Sequence, residues 1–176
     1  PLCGMQKNDM ELFTNDIELD LQILQNGAIS MYHDQTILDQ DLNDLEKLDY
    51  RIIEFDTTNW TPKTAHQELK KGLEFPDYYG ENLDAFNDCL GDLIPTDQKG
   101  LVIVFRHFDK PVTNDKEWYE GLLDIISEQS RQWLLTNKRL IGLLQSDNLD
   151  LNFSKLGGLT PTWNGKEWFD DKRRKK

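Results

Sequence analysis

Apolar and polar positions along the chain alternate in some stretches and recur at helical spacing in others. LDLQILQNGAISMY (residues 19–32) carries two alternating runs around Asn26-Gly27, a pair that favours the positive φ angles of a tight turn, and this predicts a β-hairpin. In ILDQDLNDLEKL, Ile37, Leu38, Leu42, Leu45 and Leu48 fall at helical spacing and predict a short amphipathic helix. RIIEFD (51–56) reads as a strand broken by TTNWTP, and residues 63–73 as a helix with Pro62 in its first turn. FPDYYGEN is a loop, and Asn82 is a good N-cap for a helix from Leu83 to Ile94. After a turn bracketed by Pro95 and Gly100, GLVIVFR is a continuous apolar strand of the kind buried on both faces. KPVTND is a further loop. Residues 115–135 place Trp118, Leu122, Leu123, Ile126 and Trp133 on one helical face, and RLIGLLQ (139–145) is a third apolar strand.

From residue 51 the order is strand, helix, helix, strand, helix, strand. Helices between buried strands imply an α/β fold with a three-stranded parallel sheet and right-handed crossovers, preceded by an N-terminal hairpin and helix. The chain divides into residues 1–50, an extension packed on the core; 51–146, the α/β domain; and 147–176, a turn-rich C-terminal extension ending in a frayed, solvated KRRKK. No internal repeat is visible.

Composition changes this picture mainly through charge. Asp and Glu number 32 against 20 Lys and Arg, a formal net charge of −12 over 176 residues. Such a surface disfavours nucleic acid and anionic membranes and favours a cationic partner; solubility alone is the bland alternative. Cys3 and Cys89 are too few for a disulfide framework and lack metal-ligand spacing. PLCGMQKNDMELF has neither a basic start nor a long apolar run, and nothing approaches the roughly 20 apolar residues of a membrane helix. The expectation is a soluble, cytoplasmic protein, monomeric when free, although a chain beginning at Pro1 is compatible with a trimmed leader.

The charge is concentrated. FPDYYGENLDAFNDCLGDL (75–93) holds five acidic residues and no Lys or Arg. On a helix over 83–94, Leu83, Phe86, Leu90, Leu93 and Ile94 cluster on one side, and Asp84, Asp88 and Asp92 fall opposite, with Glu81 just ahead. The helix dipole favours Glu81 and Asp84 by about 0.3–1 kcal/mol each. Asp88 and Asp92 have no such help, and each like-charge pair one turn apart costs roughly 0.2–0.5 kcal/mol. Beside them lie Tyr78, Tyr79 and Gly80. Tyrosines next to a fixed charge are a common interface pattern, so a site for a cationic protein and a tolerated acidic surface both stand as readings.

HQELKKGLEFPDYYGENLDAFNDCL, His66 to Leu90, resembles the barstar family, protein inhibitors of extracellular bacterial ribonucleases. Tyr78-Tyr79-Gly80-Glu81-Asn82-Leu83-Asp84-Ala85 and Asp88-Cys89-Leu90 carry the likeness, which extends over about residues 51–145 in the same order of strands and helices. The resemblance implies an inhibitor that inserts this loop and helix into a ribonuclease active site and does no chemistry itself. Asp88 would sit where a phosphate binds, Asp84 would meet a second basic group, Tyr78 would pack on the catalytic histidine or base-binding surface, and Gly80 and Asn82 would give loop contacts. Tyr79, Glu81, Asn87, Gly91 and Asp92 complete the implied partner-binding set. The chain departs from the family where Asn87 replaces a frequent Trp, and where Gly91-Asp92-Leu93-Ile94-Pro95 replaces aromatic and acidic residues. A further acidic contact near the last strand is not placed. These departures imply a similar binding mode with a different cognate target, such as a ribonuclease toxin that the chain confers immunity against in bacterial competition.

Other candidates are weaker. His107 and Asp109 follow a strand at its carboxyl end and, with Asp84 or Asp88, define on paper a divalent-metal site for phosphodiester hydrolysis, though their spacing matches no metal motif. His66 reads as a packing or surface residue, Cys89 as buried and inert, and Trp118 and Trp133 as core. Gly157-Gly158 is a turn. No nucleophile, base and orienting group form a set, and neither a cofactor nor a catalytic residue is expected. A basic partner other than a nuclease, or a metal-dependent hydrolase, remain the alternatives.

Overall fold

A computed structural model describes residues 17–169 of the chain. The sequence-based expectations for Cys3, the N-terminal PLCGMQKNDMELF and the KRRKK tail lie outside those residues. The described chain folds in the order α1 (Leu19–Leu24), β1 (Ile29–Tyr32), α2 (Gln35–Lys47), β2 (Tyr50–Asp56), α3 (Pro62–Gly72), α4 (Leu83–Asp92), β3 (Gly100–Arg106), α5 (Asp109–Val112), α6 (Lys116–Leu134), β4 (Arg139–Gln145), β5 (Thr162–Trp163) and a short 3-10 turn, Gly165–Phe169.

The strands form one parallel sheet in the order β2-β3-β4-β1-β5. The sheet therefore has five strands, not three. β2, β3 and β4 are in step, with Tyr50 opposite Gly100 and Gly100 opposite Arg139. β1 adds to the free side of β4, pairing Ile29 with Gly142, and β5 adds to β1.

Both faces are covered, which is why β3 and β4 read as unbroken apolar runs. On one face Ile103, Phe105, Leu140 and Leu144 meet Leu69 of α3, Phe86 and Leu90 of α4, and Leu122, Leu123 and Ile126 of α6. On the other, Val102, Val104, Ile141 and Leu143 meet Ile23 of α1 and Leu38, Leu42 and Leu45 of α2. Helix starts are capped, Asn82 as expected and three others besides. Asp34, Thr61, Asn82 and Asp115 each accept backbone N–H bonds at the heads of α2, α3, α4 and α6.

The predicted hairpin is not formed. Residues 19–24 are the helix α1, and Asn26-Gly27 closes it instead of joining two strands. The N–H groups of Asn26 and Gly27 bond to the carbonyls of Ile23 and Leu24, with Gly27 at φ 105°. Asn-Gly serves equally as a hairpin turn and as a helix stop, and six residues are too few to separate the two periods. What decides is Asp20, one turn from the buried Ile23. Its fully buried carboxylate accepts from the Tyr50 hydroxyl at 2.6 Å and from Lys99 Nζ at 2.9 Å, and pairs with Arg139. These groups stand at the amino ends of β2, β3 and β4, so α1 is clamped over the edge of the sheet.

The predicted KPVTND loop contains the single helical turn α5. The C-terminal segment is held in place: Phe153 and Leu156 are buried, Glu120 and Asp124 of α6 accept from the N–H groups of Ser154 and Gly157, and β5 completes the sheet. Buried Asp41 joins the two extensions, accepting from Tyr32 at 2.9 Å and Asn164 at 2.8 Å and pairing with Lys166. Among the described residues no helix is long and apolar enough to cross a membrane.

Candidate functional site: an acidic helix and a tyrosine loop

α4 is seated by Phe86, Cys89 and Leu90, all buried, and started by Asn82, whose Oδ1 accepts from Ala85 N at 2.9 Å and whose Nδ2 donates to Gly80 O at 3.2 Å. The opposite face carries Asp84, Asp88 and Asp92, all exposed. Among the described residues none of these three, nor Glu81, forms an ion pair. By contrast, Asp20, Asp39, Asp41, Asp44, Asp109 and Asp147 all do. Three like charges on a helix fixed from below, with no ion pair among the described residues, keep their field for whatever approaches. That field already reaches Cys89: its thiol is pushed up first by burial and then by the charges of Asp92 and Asp88.

The loop ahead of α4 separates its two tyrosines. Tyr78 is 80% exposed. Tyr79, expected among the partner contacts, is buried, with its ring against Phe75 and its hydroxyl sharing a 2.5 Å hydrogen bond with His66 Nδ1. Burial raises the Tyr79 phenol well above its ordinary range and lowers the His66 imidazole, the latter partly opposed by Glu81. The edge of Trp118 closes the other side of His66 at 5.2 Å. His66, Tyr79 and Trp118 thus form the floor beneath Tyr78, Gly80 and Glu81. Glu81 holds φ 50°, which turns the chain into the helix.

Asn87 and Gly91 lie at the border of the expected partner set. Both are only partly exposed and lie on the seam between α4 and α6, where Gln129 donates from Nε2 to Asn87 Oδ1 at 2.8 Å and to Asn87 O at 3.2 Å. The outward face is therefore Tyr78, Gly80, Glu81, Asn82, Asp84, Asp88 and Asp92, supported by Tyr79, Asn87 and Gly91. His66, Trp118 and Gln129 were not legible as part of this unit, because each reads locally as an ordinary position on its own helix.

His107 and Asp109 are committed elsewhere. His107, at φ 57°, places Nδ1 2.9 Å from Asp147 Oδ2 and donates its backbone N–H to Gln145 Oε1. Buried Asp109 accepts from Asp147 N and pairs with Lys110. Burial alone would raise the Asp147 carboxyl, but Gln145, His107 and Lys110 outweigh it and hold the carboxyl below the usual range. Among the described residues no three His, Cys, Asp or Glu side chains gather as metal ligands.

Fold and site together define a parallel α/β domain that displays an acidic helix face beside an exposed tyrosine. The chain belongs to the barstar family: the family model described as "Barstar (barnase inhibitor)" matches residues 50–145. A similar protein is the "Putative ribonuclease inhibitor YrdF" of Bacillus subtilis (strain 168), 36% identical over 70 residues, which are 40% of this chain and 74% of that protein. The matched span takes in β2 to β4 and α3 to α6. α1, β1, α2 and β5 lie outside it.

Proposed function

We propose that this chain is a non-catalytic inhibitor that binds the basic active-site cleft of a bacterial ribonuclease and blocks it, in the manner of an immunity protein against a cognate toxin in the cytoplasm. The observation that carries the reading is the aspartate row, without ion pairs among the described residues, on a helix seated by Phe86, Cys89 and Leu90 and lying within residues 50–145, which the family model matches. A ribonuclease cleft is lined with cations that hold RNA phosphates. Carboxylates at fixed spacing can take those positions through charge-assisted hydrogen bonds. Asp88, mid-helix, is the central anchor, flanked by Asp84 and Asp92, and the Tyr78 ring offers a flat apolar surface to the cleft wall. Inhibition follows from occupancy alone.

The net charge of −12 and the one-signed face make association electrostatically steered. The association rate with a basic ribonuclease, measured by stopped flow, is expected to fall roughly tenfold or more between low and high ionic strength, as screening shortens the reach of the field. The dissociation rate is expected to change much less. A salt-independent association rate would contradict steering by this face.

A further inference from the structure

Two close approaches mark the seam between α4 and α6, whose apolar faces pack together. At one end, a Cβ on Gly121 would stand 3.1 Å from Leu83 Cδ1; two turns further along both helices, a Cβ on Gly91 would stand 3.2 Å from Gln129 Oε1. The helices thus run side by side in the same direction. The Asn87 carbonyl that Gln129 reaches is also the helical acceptor for the N–H of Gly91. The Gln129 amide comes in beside Gly91, where a side chain would crowd it. Asp88 follows Asn87 directly and Asp92 follows Gly91, so the grip lies at the root of the two aspartates farthest from the Asn82 cap.

We propose that Gln129 is a positioning residue for partner binding: by holding Asn87 and seating on Gly91 it sets the rotation of the C-terminal half of α4, and with it the direction of Asp88 and Asp92. This rests on the ribonuclease-inhibitor reading for its consequence, though not for its geometry. Nothing in the α6 sequence marks Gln129, a polar residue among others on a half-buried face. Its two bonds to a single residue of α4 single it out.

Gln129→Met keeps the length of the side chain and removes both donors. The expected result is a thermal midpoint within a few degrees of the unsubstituted chain. Residual dipolar couplings of the Asp88 and Asp92 amides, measured relative to those of α6, are expected to change while those of Asp84 stay. Dissociation from barnase, used as the probe ribonuclease, is expected to be about tenfold faster, the scale of a lost hydrogen bond or two. In the double variant with Asp88→Ala, the effect of Gln129→Met on dissociation should shrink, because only Asp92 is left to aim. Unchanged couplings in Gln129→Met would overturn the positioning role whatever the binding result. Binding weakened by Asp88→Ala but not by Gln129→Met would overturn it and leave the inhibitor reading standing. Absence of barnase binding, or indifference to Asp88→Ala, would count against barnase as a target or against Asp88 as the anchor, and the couplings would then decide the positioning role.

Discussion

Asp88→Ala is expected to weaken binding to the basic ribonuclease roughly ten- to 150-fold, the range of the ~1.5–3 kcal/mol carried by a hydrogen bond to a charged group. Folding stability is expected to stay the same or rise slightly. Asp88 is exposed and makes no ion pair among the described residues, and its nearest like charges on the helix are Asp84 and Asp92, one turn away on either side. Removing it from the free protein relieves two repulsions of about 0.2–0.5 kcal/mol each and leaves no buried group unsatisfied. The loss in affinity therefore reports the interface alone. Asp84→Ala should also cost a little folding stability, because Asp84 gains from the helix dipole in the free protein. Titration calorimetry of the two variants, with thermal melts as the control, checks both halves. A loss of affinity accompanied by an equal loss of stability would move Asp88 from the interface into the fold.

Asp20→Asn is expected to produce a large loss of stability, about 3–5 kcal/mol, because it takes the buried counter-charge away from Lys99 and Arg139, both only partly exposed. Asp20 is fully buried and satisfies Tyr50, Lys99 and Arg139 together. Lys99 retains Glu18, which places the expected loss toward the lower end. Burial alone would raise the Asp20 carboxyl, but Tyr50, Lys99 and Arg139 outweigh it, and its pKa lies below the ordinary value. A carboxylate with a depressed folded-state pKa contributes stability that is fully present above the unfolded value of about 3.9 and is lost as pH falls through the folded one. Urea midpoints from neutral pH down to about pH 3 should show the unsubstituted chain losing this contribution in acid. In Asp20→Asn it is already gone, so the gap between the two narrows as pH falls. A constant gap would mean that shape, not charge, makes α1 hold.

The consequence for the fold is that the segment before residue 50 is more than an attachment. Without α1 and α2, the side chains of Val102, Val104, Ile141 and Leu143 would face solvent, and without β1 the outer edge of β4 would be unpaired. The buried Asp41, bonded to Tyr32, Asn164 and Lys166, shows the same logic at the opposite end of the chain. Two buried aspartates thus anchor the elements outside the family-matched span. Among the described residues the carboxylates of the acidic face have no such partners.

Much of the core could be read from the chain because long apolar runs leave few options. GLVIVFR and RLIGLLQ are buried strands, and the stripe of Phe86, Cys89 and Leu90 follows from Asn82 as cap. The errors arose where local pattern is degenerate. Leu19, Leu21 and Ile23 alternate like a strand, yet the carboxylate of Asp20 pins them as a helix through residues far away in sequence. ISMY was legible as a strand, the second arm of the expected hairpin, but too short to announce its parallel partner β4, and Thr162-Trp163 is too short to be read as a strand at all. In the site, the aspartate row was legible from spacing, whereas the fate of Tyr79 was not. Two adjacent tyrosines look alike until His66 and Phe75 claim one of them from below. For Asn87 and Gly91 the sequence could not show that Gln129 of α6 packs against this flank of α4.

Whether the α4 face blocks a basic ribonuclease is decided by titrating RNA cleavage with the folded chain. Barnase and other small basic bacterial ribonucleases would be assayed at low ionic strength, with Asp88→Ala in parallel. The predicted result is stoichiometric inhibition of at least one enzyme, relieved by added salt and strongly weakened by Asp88→Ala. Cleavage that continues unchanged with every enzyme at micromolar chain, or inhibition indifferent to Asp88→Ala, would contradict it.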